Sequence, residues 1–303
     1  MITIVGKPGQ LGNSLFLFAN FLACAIEHDV RVANPAFDEY AEYFRFPGQD
    51  FFCRYPARPS LFKGNRWTRK LFFSFNYYLA RLLARSGISN RYVRAIALDW
   101  DEEVRLDSPE FVALARRTHV LFAQGWLFRD RTNFYPHRDA IRAYFEPLEL
   151  FQHNVEALIK RARADCDLLV GVHIRHGDYK RFLDGKYFYE VWEYARLMEK
   201  VEAMYPDKKV GFLICSNVKQ SAEHFAPFNF TFGNDHLIED MYAFARCDLI
   251  LGPPSTYTMW AAFYGEVPLY MIEDITAEPC FDRTQSFLAV ALPTATAATA
   301  VNT

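Results

Sequence analysis

Residues 168–179 read Leu-Leu-Val-Gly-Val-His-Ile-Arg-His-Gly-Asp-Tyr. The first half is apolar and uncharged, the pattern of a strand buried on both faces of a parallel sheet. The second half places His173, Arg175, His176 and Asp178 within six residues. In an open α/β sheet, ligands bind just beyond the carboxyl ends of the strands. A cluster of titratable groups there marks a candidate site. The plainer reading is a surface turn with a histidine and an arginine in water. Against it, His173 and Arg175 alternate with strand residues instead of following them.

Downstream, strands and helices alternate to the end of the patterned sequence. After a loop at 180–186, Phe188, Val191, Trp192, Ala195, Met198, Val201 and Tyr205 recur with helical spacing. Val210–Cys215 reads as a strand ending in Ser216-Asn217, followed by a helix from Lys219 to Phe225 and a strand from Phe228 to Phe232. A helix from Glu239-Asp240 to Cys247 precedes the strand Leu249–Gly252. Pro253-Pro254-Ser255-Thr256 then opens a helix to Tyr264, and Pro268–Ile272 is the last strand. Such alternation predicts a doubly wound parallel sheet.

The strand ends of that sheet line one edge, which brings His173, Arg175 and Asp178 toward Ser216, Asn217, Ser255 and Thr256. Hydroxyls and unpaired N–H groups at a helix start suit phosphate. Arg175 adds a permanently charged, fork-shaped donor for the same anion. Ser255 and Thr256 alone could be a simple helix cap; the set together points to a diphosphate ligand.

At the other end of the chain, Ile2–Val5 reads as a strand. Gly6-Lys7-Pro8-Gly9-Gln10-Leu11-Gly12-Asn13 follows, then an apolar helix from Ser14 to about His28. Strand, glycine turn and helix open a nucleotide-type α/β unit, with glycines at 6, 9 and 12 allowing close backbone approach. No Gly-Lys-Ser/Thr precedes the helix, so this is not a Walker A loop. The spacing resembles the dinucleotide loop of extended short-chain dehydrogenases. Those enzymes need a Tyr-x-x-x-Lys pair on one helix, and the pair here, Tyr205 and Lys209, is broken by Pro206. The second strand, Val30–Ala33, meets no carboxylate until Asp38.

Between Arg54 and Leu98 there is no Asp or Glu, against ten Lys or Arg. Within it Trp67–Ser86 reads as a helix mixing aromatic and basic residues. Such a helix suits an anionic membrane surface, or packs on the core with a solvated basic face. Asp99-Trp100-Asp101 resembles a D-x-D metal and sugar-diphosphate motif, although Glu102 and Glu103 follow at once, as in a solvated acidic turn. Phe111–Gln124 reads as a helix and a strand, and Glu149–Ala164 as a helix.

The chain has 303 residues, half of them hydrophobic, and a net charge of −2. That length suggests two domains, expected at 1–150 and 151–288, with the Ala/Thr-rich 289–303 as a frayed tail. The charge gives no bias toward nucleic acid. The six cysteines show no C-x-x-C spacing, which excludes a zinc knuckle and a redox motif. Cys24, Cys166, Cys215 and Cys247 lie in or beside apolar runs, as buried thiols do. The apolar run Leu15–Ile26 is shorter than the ~20 residues that span a bilayer. The expectation is a cytoplasmic protein, peripheral on the inner membrane face if the 54–98 region engages lipid.

Three blocks carry a family resemblance. Gly9-Gln10-Leu11-Gly12-Asn13 with Leu15-Phe16 resembles the N-terminal Gly-x-x-Gly-Asn-x-x-Phe of glycosyltransferase family 11, the α-1,2-fucosyltransferases. That family belongs to a superfamily with the α-1,6- and protein O-fucosyltransferases. His173 through Tyr179 resembles its H-x-R-R-G-D-Y. Asp240 through Cys247, Ser255-Thr256-Tyr257-Thr258 and Trp260 resemble its D-x-Y…C…S-S-F-S-x-W block. The resemblance implies a GT-B-like α/β fold with two Rossmann-like lobes, the C-terminal one binding the nucleotide sugar. It also implies inverting, metal-independent transfer of fucose from GDP-fucose, the donor substrate, to a glycan acceptor.

By the same resemblance, Arg175 would hold the β-phosphate, and His173 and Asp240 the guanine. Ser255 and Thr256 would bind the diphosphate, and Gly12 and Asn13 would hold the donor or order the cleft. Ser216, Asn217 and His176 would border the donor, and Asp178 would orient the arginine. This chain departs from the pattern at His176, where the family has a second arginine, and at Ser14, where it has a glutamine. The Ser-Phe-Ser run is Thr-Tyr-Thr here. The base for the acceptor hydroxyl is open among Asp178, Asp184 and Glu190. The alternatives are a transferase of this fold with another nucleotide sugar and a non-catalytic GDP- or glycan-binding relative.

Overall fold

A computed structural model describes residues 1–60 and 64–281; the tail expected at 289–303 lies outside the described residues. The chain divides into two units, Met1–Leu148 and a second from Glu149.

The first unit comprises β1 (Ile2–Ile4), α1 (Leu11–His28), β2 (Val32–Ala33), α2 (Arg45–Gln49), β3 (Arg54–Tyr55), α3 (Arg66–Ser86), β4 (Val93–Ala97), β5 (Val104–Arg105), α4 (Pro109–Arg117), β6 (Val120–Gln124), β7 (Phe128–Arg129) and α5 (Arg138–Tyr144). Its sheet runs in the order β3-β2-β1-β6-β4. All neighbours are parallel except the edge strand β3, which is antiparallel to β2. β5 and β7 form a separate parallel pair. α1 is apolar on every side and buried from Leu11 to Ala25, as a helix enclosed by core must be. It starts three residues earlier than the sequence suggests. Gly12 and Asn13 therefore stand in its first turn, and Gly9, at φ +105°, makes the turn before it.

α3 begins with a reciprocal cap. Asn65 Oδ1 accepts from the Thr68 N–H at 3.0 Å, and Thr68 Oγ1 accepts from the Asn65 N–H at 2.9 Å. Gly87, at φ +68°, ends the helix. Only Arg69, Asn76, Ala80 and Leu83 are buried. Ala80 and Leu83 pack with Val5 and Phe122. The Arg69 guanidinium donates to the carbonyls of Gly48, Asp50 and Phe51. Asp99 and Asp101 lie in an exposed turn after β4, where Glu102 accepts from the Asp99 N–H at 3.0 Å.

The second unit comprises α6 (Glu149–Ala162), β8 (Leu168–Ile174), α7 (Val191–Met204), β9 (Val210–Ser216), β10 (Phe230–Phe232), α8 (Leu237–Phe244), β11 (Leu249–Gly252), α9 (Thr256–Gly265) and β12 (Leu269–Met271). Its sheet is parallel throughout, in the order β10-β9-β8-β11-β12. The central strand β8 is buried at every residue, which is why it carries no charge before Arg175.

Two elements differ from the sequence reading. The helix expected over 219–225 is a single 3-10 turn, Ala222–Phe225. The Gln220 amide donates to Ser216 Oγ and the Val218 carbonyl, and Ser221 Oγ accepts from the Glu223 N–H. Such local side-chain bonds compete with helix. α7 starts at Val191, after Phe188, because Glu193 caps the Glu190 N–H at 2.7 Å. Among the described residues, no helix is long and apolar enough to cross a membrane.

Candidate functional site

At the carboxyl edge of the second sheet, β8 and β9 end side by side, with His173 paired to Cys215 and Ile174 to Ser216. A cavity of about 340 Å³ opens there, within the size range of small-ligand sites. His173, Arg175, Ser216, Asn217 and Asp240 line it, five of the residues singled out in the sequence.

His173 is buried, and its Nδ1 has no hydrogen-bond partner among the described residues. Its ring lies 5.2 Å from that of Tyr257 and 5.9 Å from that of Phe244. Burial, with the Arg175 charge adding to it, pushes its pKa down to about 3. The ring is therefore neutral at physiological pH. Gly252, at the end of β11, makes room for it: a Cβ there would lie 2.8 Å from the His173 Cβ.

Arg175 leaves β8 one residue past its last paired position. Its Nη2 donates to Asp178 Oδ2 at 2.8 Å, and its guanidinium sits 5.2 Å from the Tyr179 ring centroid. Asp178 Oδ1 accepts from the Asn217 amide at 3.1 Å. The Tyr179 hydroxyl donates to the Pro254 carbonyl at 2.7 Å, which ties this loop to the start of α9. Asp178 thus holds the arginine and does not line the cavity.

Asp240, in the first turn of α8, is buried, and its Oδ1 accepts from the Asn234 N–H at 2.7 Å. Burial pushes its carboxyl up to about 6, with Asp235 and Glu239 adding to the effect and the Asn234 bond opposing it. The cavity wall therefore carries a fixed cation from β8 and a buried acid from α8.

No family model matches this chain, and no curated protein matches it by sequence. Solved structures do match. FUT1 of Arabidopsis thaliana, in complex with GDP, gives a TM-score of 0.57 at 10% identity, over 89% of this chain and 70% of that one. The fucosyltransferase NodZ from Bradyrhizobium gives 0.52 at 15% identity, over 89% and 94%. POFUT1 in complex with GDP-fucose gives 0.52 at 12% identity, over 88% and 94%. The fold is the fucosyltransferase fold. At these identities the likeness is one of architecture, and residue roles rest on the local geometry.

Within that fold, other expected residues have different surroundings. His176 does not line the cavity. Its Nε2–H donates to the Tyr189 carbonyl at 2.9 Å, its Nδ1 accepts from the Gln220 amide at 3.3 Å, and Phe188 stacks on it at 4.8 Å. Both ring nitrogens are engaged in holding the loop, so the side chain anchors structure where the sequence pattern suggested a donor contact. Ser255 Oγ accepts from the Tyr257 N–H at 3.2 Å and caps α9. Ser255 and Thr256 are outside the cavity lining.

Asp184 is exposed at φ +56°, and Glu190 is exposed at the start of α7. Neither lines the cavity. In the first unit, the Asn13 amide donates to the Pro8 carbonyl at 2.8 Å and braces the glycine loop. Lys7 of the same loop pairs with the buried Asp38 at 2.7 Å.

Sequence reasoning missed Lys219, Asp235 and His236, which also line the cavity. His236 caps α8, its Nδ1 accepting from the Glu239 N–H at 3.3 Å, and it stacks on Phe151. The polar run Gly233-Asn234-Asp235-His236 ahead of a helix was the available signal. Lys219 follows β9 without any local pattern. Among the described residues there is no cluster of three or more His, Cys, Asp or Glu side chains placed to hold a metal ion.

Proposed function

We propose that the chain is a GDP-fucose-dependent fucosyltransferase that acts on a hydroxyl of a glycan acceptor. The observation that carries this reading is the single cavity joining Arg175, unpartnered His173 and buried Asp240 on this fold. FUT1 and POFUT1, which share the fold, were solved with GDP and GDP-fucose. Guanine presents donors on one edge, which an ionised Asp240 would accept, and the neutral His173 ring, which lines the cavity, would take a further base or ribose contact. Arg175 would face the diphosphate.

Cleaving the fucosyl–phosphate bond places negative charge on the departing GDP while the sugar becomes oxocarbenium-like. A guanidinium already fixed by Asp178 then stabilises the transition state more than the ground state. Inversion, metal independence and an α-1,2 linkage are the finer parts of the proposal, and they rest on the motif resemblance to family 11.

The test incubates the purified chain with GDP-fucose, GDP-mannose, UDP-sugars and NAD(P)H, following binding and donor hydrolysis with and without EDTA. Turnover of GDP-fucose untouched by chelator supports the proposal. Metal dependence would return attention to Asp99-Trp100-Asp101. GDP binding without turnover would make the chain a non-catalytic relative, and preference for another sugar would replace the donor.

A further inference from the structure

α3 has two faces that do not behave alike. Its buried residues Arg69, Asn76, Ala80 and Leu83 hold it to the first unit. On the other side Trp67, Leu71, Phe75, Tyr78 and Leu82 are each between 62% and 76% exposed. Their spacings of four and three place these five within an arc of roughly 80° on a helix of about 3.6 residues per turn, opposite the buried line. Five large apolar side chains on one exposed stripe are more than the scattered surface hydrophobics any protein shows.

One border of the stripe is charged, and with a single sign. Arg66, Lys70, Arg81 and Arg85 are exposed along one flank, and α3 contains no acid. The surrounding 54–98 region contains none either.

We propose that the outer face of α3 is a docking surface for an anionic lipid bilayer. The helix lies in the interface plane with its stripe in the headgroup–acyl boundary. Trp67 and Tyr78 suit that depth, since each joins an apolar ring to a polar atom. The cationic flank meets the negative surface potential of the lipid. Charge complementarity selects this occupant over a second copy of the chain. An antiparallel two-fold contact through α3 would set the cationic flanks against each other, and a parallel one would leave each flank with no acid of the partner helix to meet. At 21 residues the helix is about 30 Å long, but Lys70 and Arg81 inside it place it along a membrane and not across one.

The test is co-sedimentation of the full chain with vesicles of phosphatidylcholine alone, and of phosphatidylcholine with about one-third phosphatidylglycerol. Binding is expected only to the anionic vesicles, and salt should release it as screening shortens the reach of the flank. Arg81→Gln with Arg85→Gln should lower partitioning roughly 25-fold, at a factor of about five per cation. Trp67→Ser with Phe75→Ser should lower it at least ~10-fold. All four positions are exposed and outside the cavity, so both variants should melt and bind GDP as the parent does. Absence of anionic-vesicle binding would overturn the proposal, as would binding indifferent to both variants. A dimer that Trp67→Ser/Phe75→Ser dissolves, without vesicle binding, would assign the face to a second copy and overturn it equally.

Discussion

Arg175 and Asp178 form one rigid unit: Nη2 donates to Oδ2 at 2.8 Å, and the other oxygen of the carboxylate is held by the Asn217 amide at 3.1 Å. The guanidinium is thereby placed before any ligand arrives, which is how a fixed donor at developing charge avoids reorganisation. Arg175→Lys should cost at least ~10²-fold in kcat/KM for GDP-fucose, because a lysine loses the fork and the clamp together. Asp178→Asn keeps an acceptor oxygen and should cost only about 10-fold, mostly in kcat. Steady-state kinetics on both variants decides the matter. An Asp178→Asn loss as deep as that of Arg175→Lys would make Asp178 a participant in proton transfer and not a support.

Asp240 is held with its carboxyl at about 6, above its ordinary 3.8. The folded chain therefore binds that proton more readily than the unfolded chain does. The stabilising contribution is complete below 3.8 and is lost as pH rises through about 6. At pH 7 to 8, Asp240→Asn should stabilise the ligand-free chain by about 2 kcal/mol, and near pH 4 by little. The same change should weaken GDP binding about 10-fold or more through loss of a charge-assisted acceptor. Melting curves at two pH values and calorimetric titration with GDP test the opposed signs.

His173 works in the other direction. Its pKa of about 3, down from 6.5, means the unfolded chain takes up a proton that the folded chain refuses. The stability it confers is present above 6.5 and is lost as pH falls toward 3. His173→Leu should therefore flatten the acid limb of the stability profile while weakening GDP binding about 5- to 30-fold. Unchanged GDP affinity in a variant with normal melting would remove His173 from the donor contacts.

At His176 the expected result is structural. His176→Ala should lower stability by about 1–3 kcal/mol, through the lost Tyr189 and Gln220 bonds and the Phe188 stack. GDP affinity should stay within about 3-fold, because the ring lies outside the cavity. A large affinity loss with unchanged melting would restore the residue to the donor site.

Much of the second unit was legible because each strand announces itself locally. The uncharged run of β8 and the regular alternation after it specify a parallel sheet, and ligands gather at its carboxyl edge whatever the chemistry. His173, Arg175, Ser216 and Asn217 could be placed for that reason. Asp240 was reached only through the motif resemblance, since nothing in a single helical turn marks a carboxylate as buried.

Lys219, Asp235 and His236 approach the cavity from connections, where side-chain direction depends on tertiary contacts. Ser255 and His176 show the converse. Their residue types fit a ligand site, yet one hydroxyl also caps a helix and one ring is held by Tyr189 and Gln220. In the first unit, the start of α1 was misplaced because glycine and asparagine usually mark turns, whereas packing of the buried helix overrides that preference here.

The bonds that tie the site together join distant stretches of chain: 41 residues separate His176 from Asn217, and 75 separate Tyr179 from Pro254. Closing such loops costs entropy before any contact returns it, so these pairings form after the local ones. A refolding chain should regain the helical signal of α6 and α7 before it can hold a nucleotide. Under the proposed function, recovery of GDP binding should then lag the helical signal and report when Tyr179, after β8, has joined Pro254 ahead of α9.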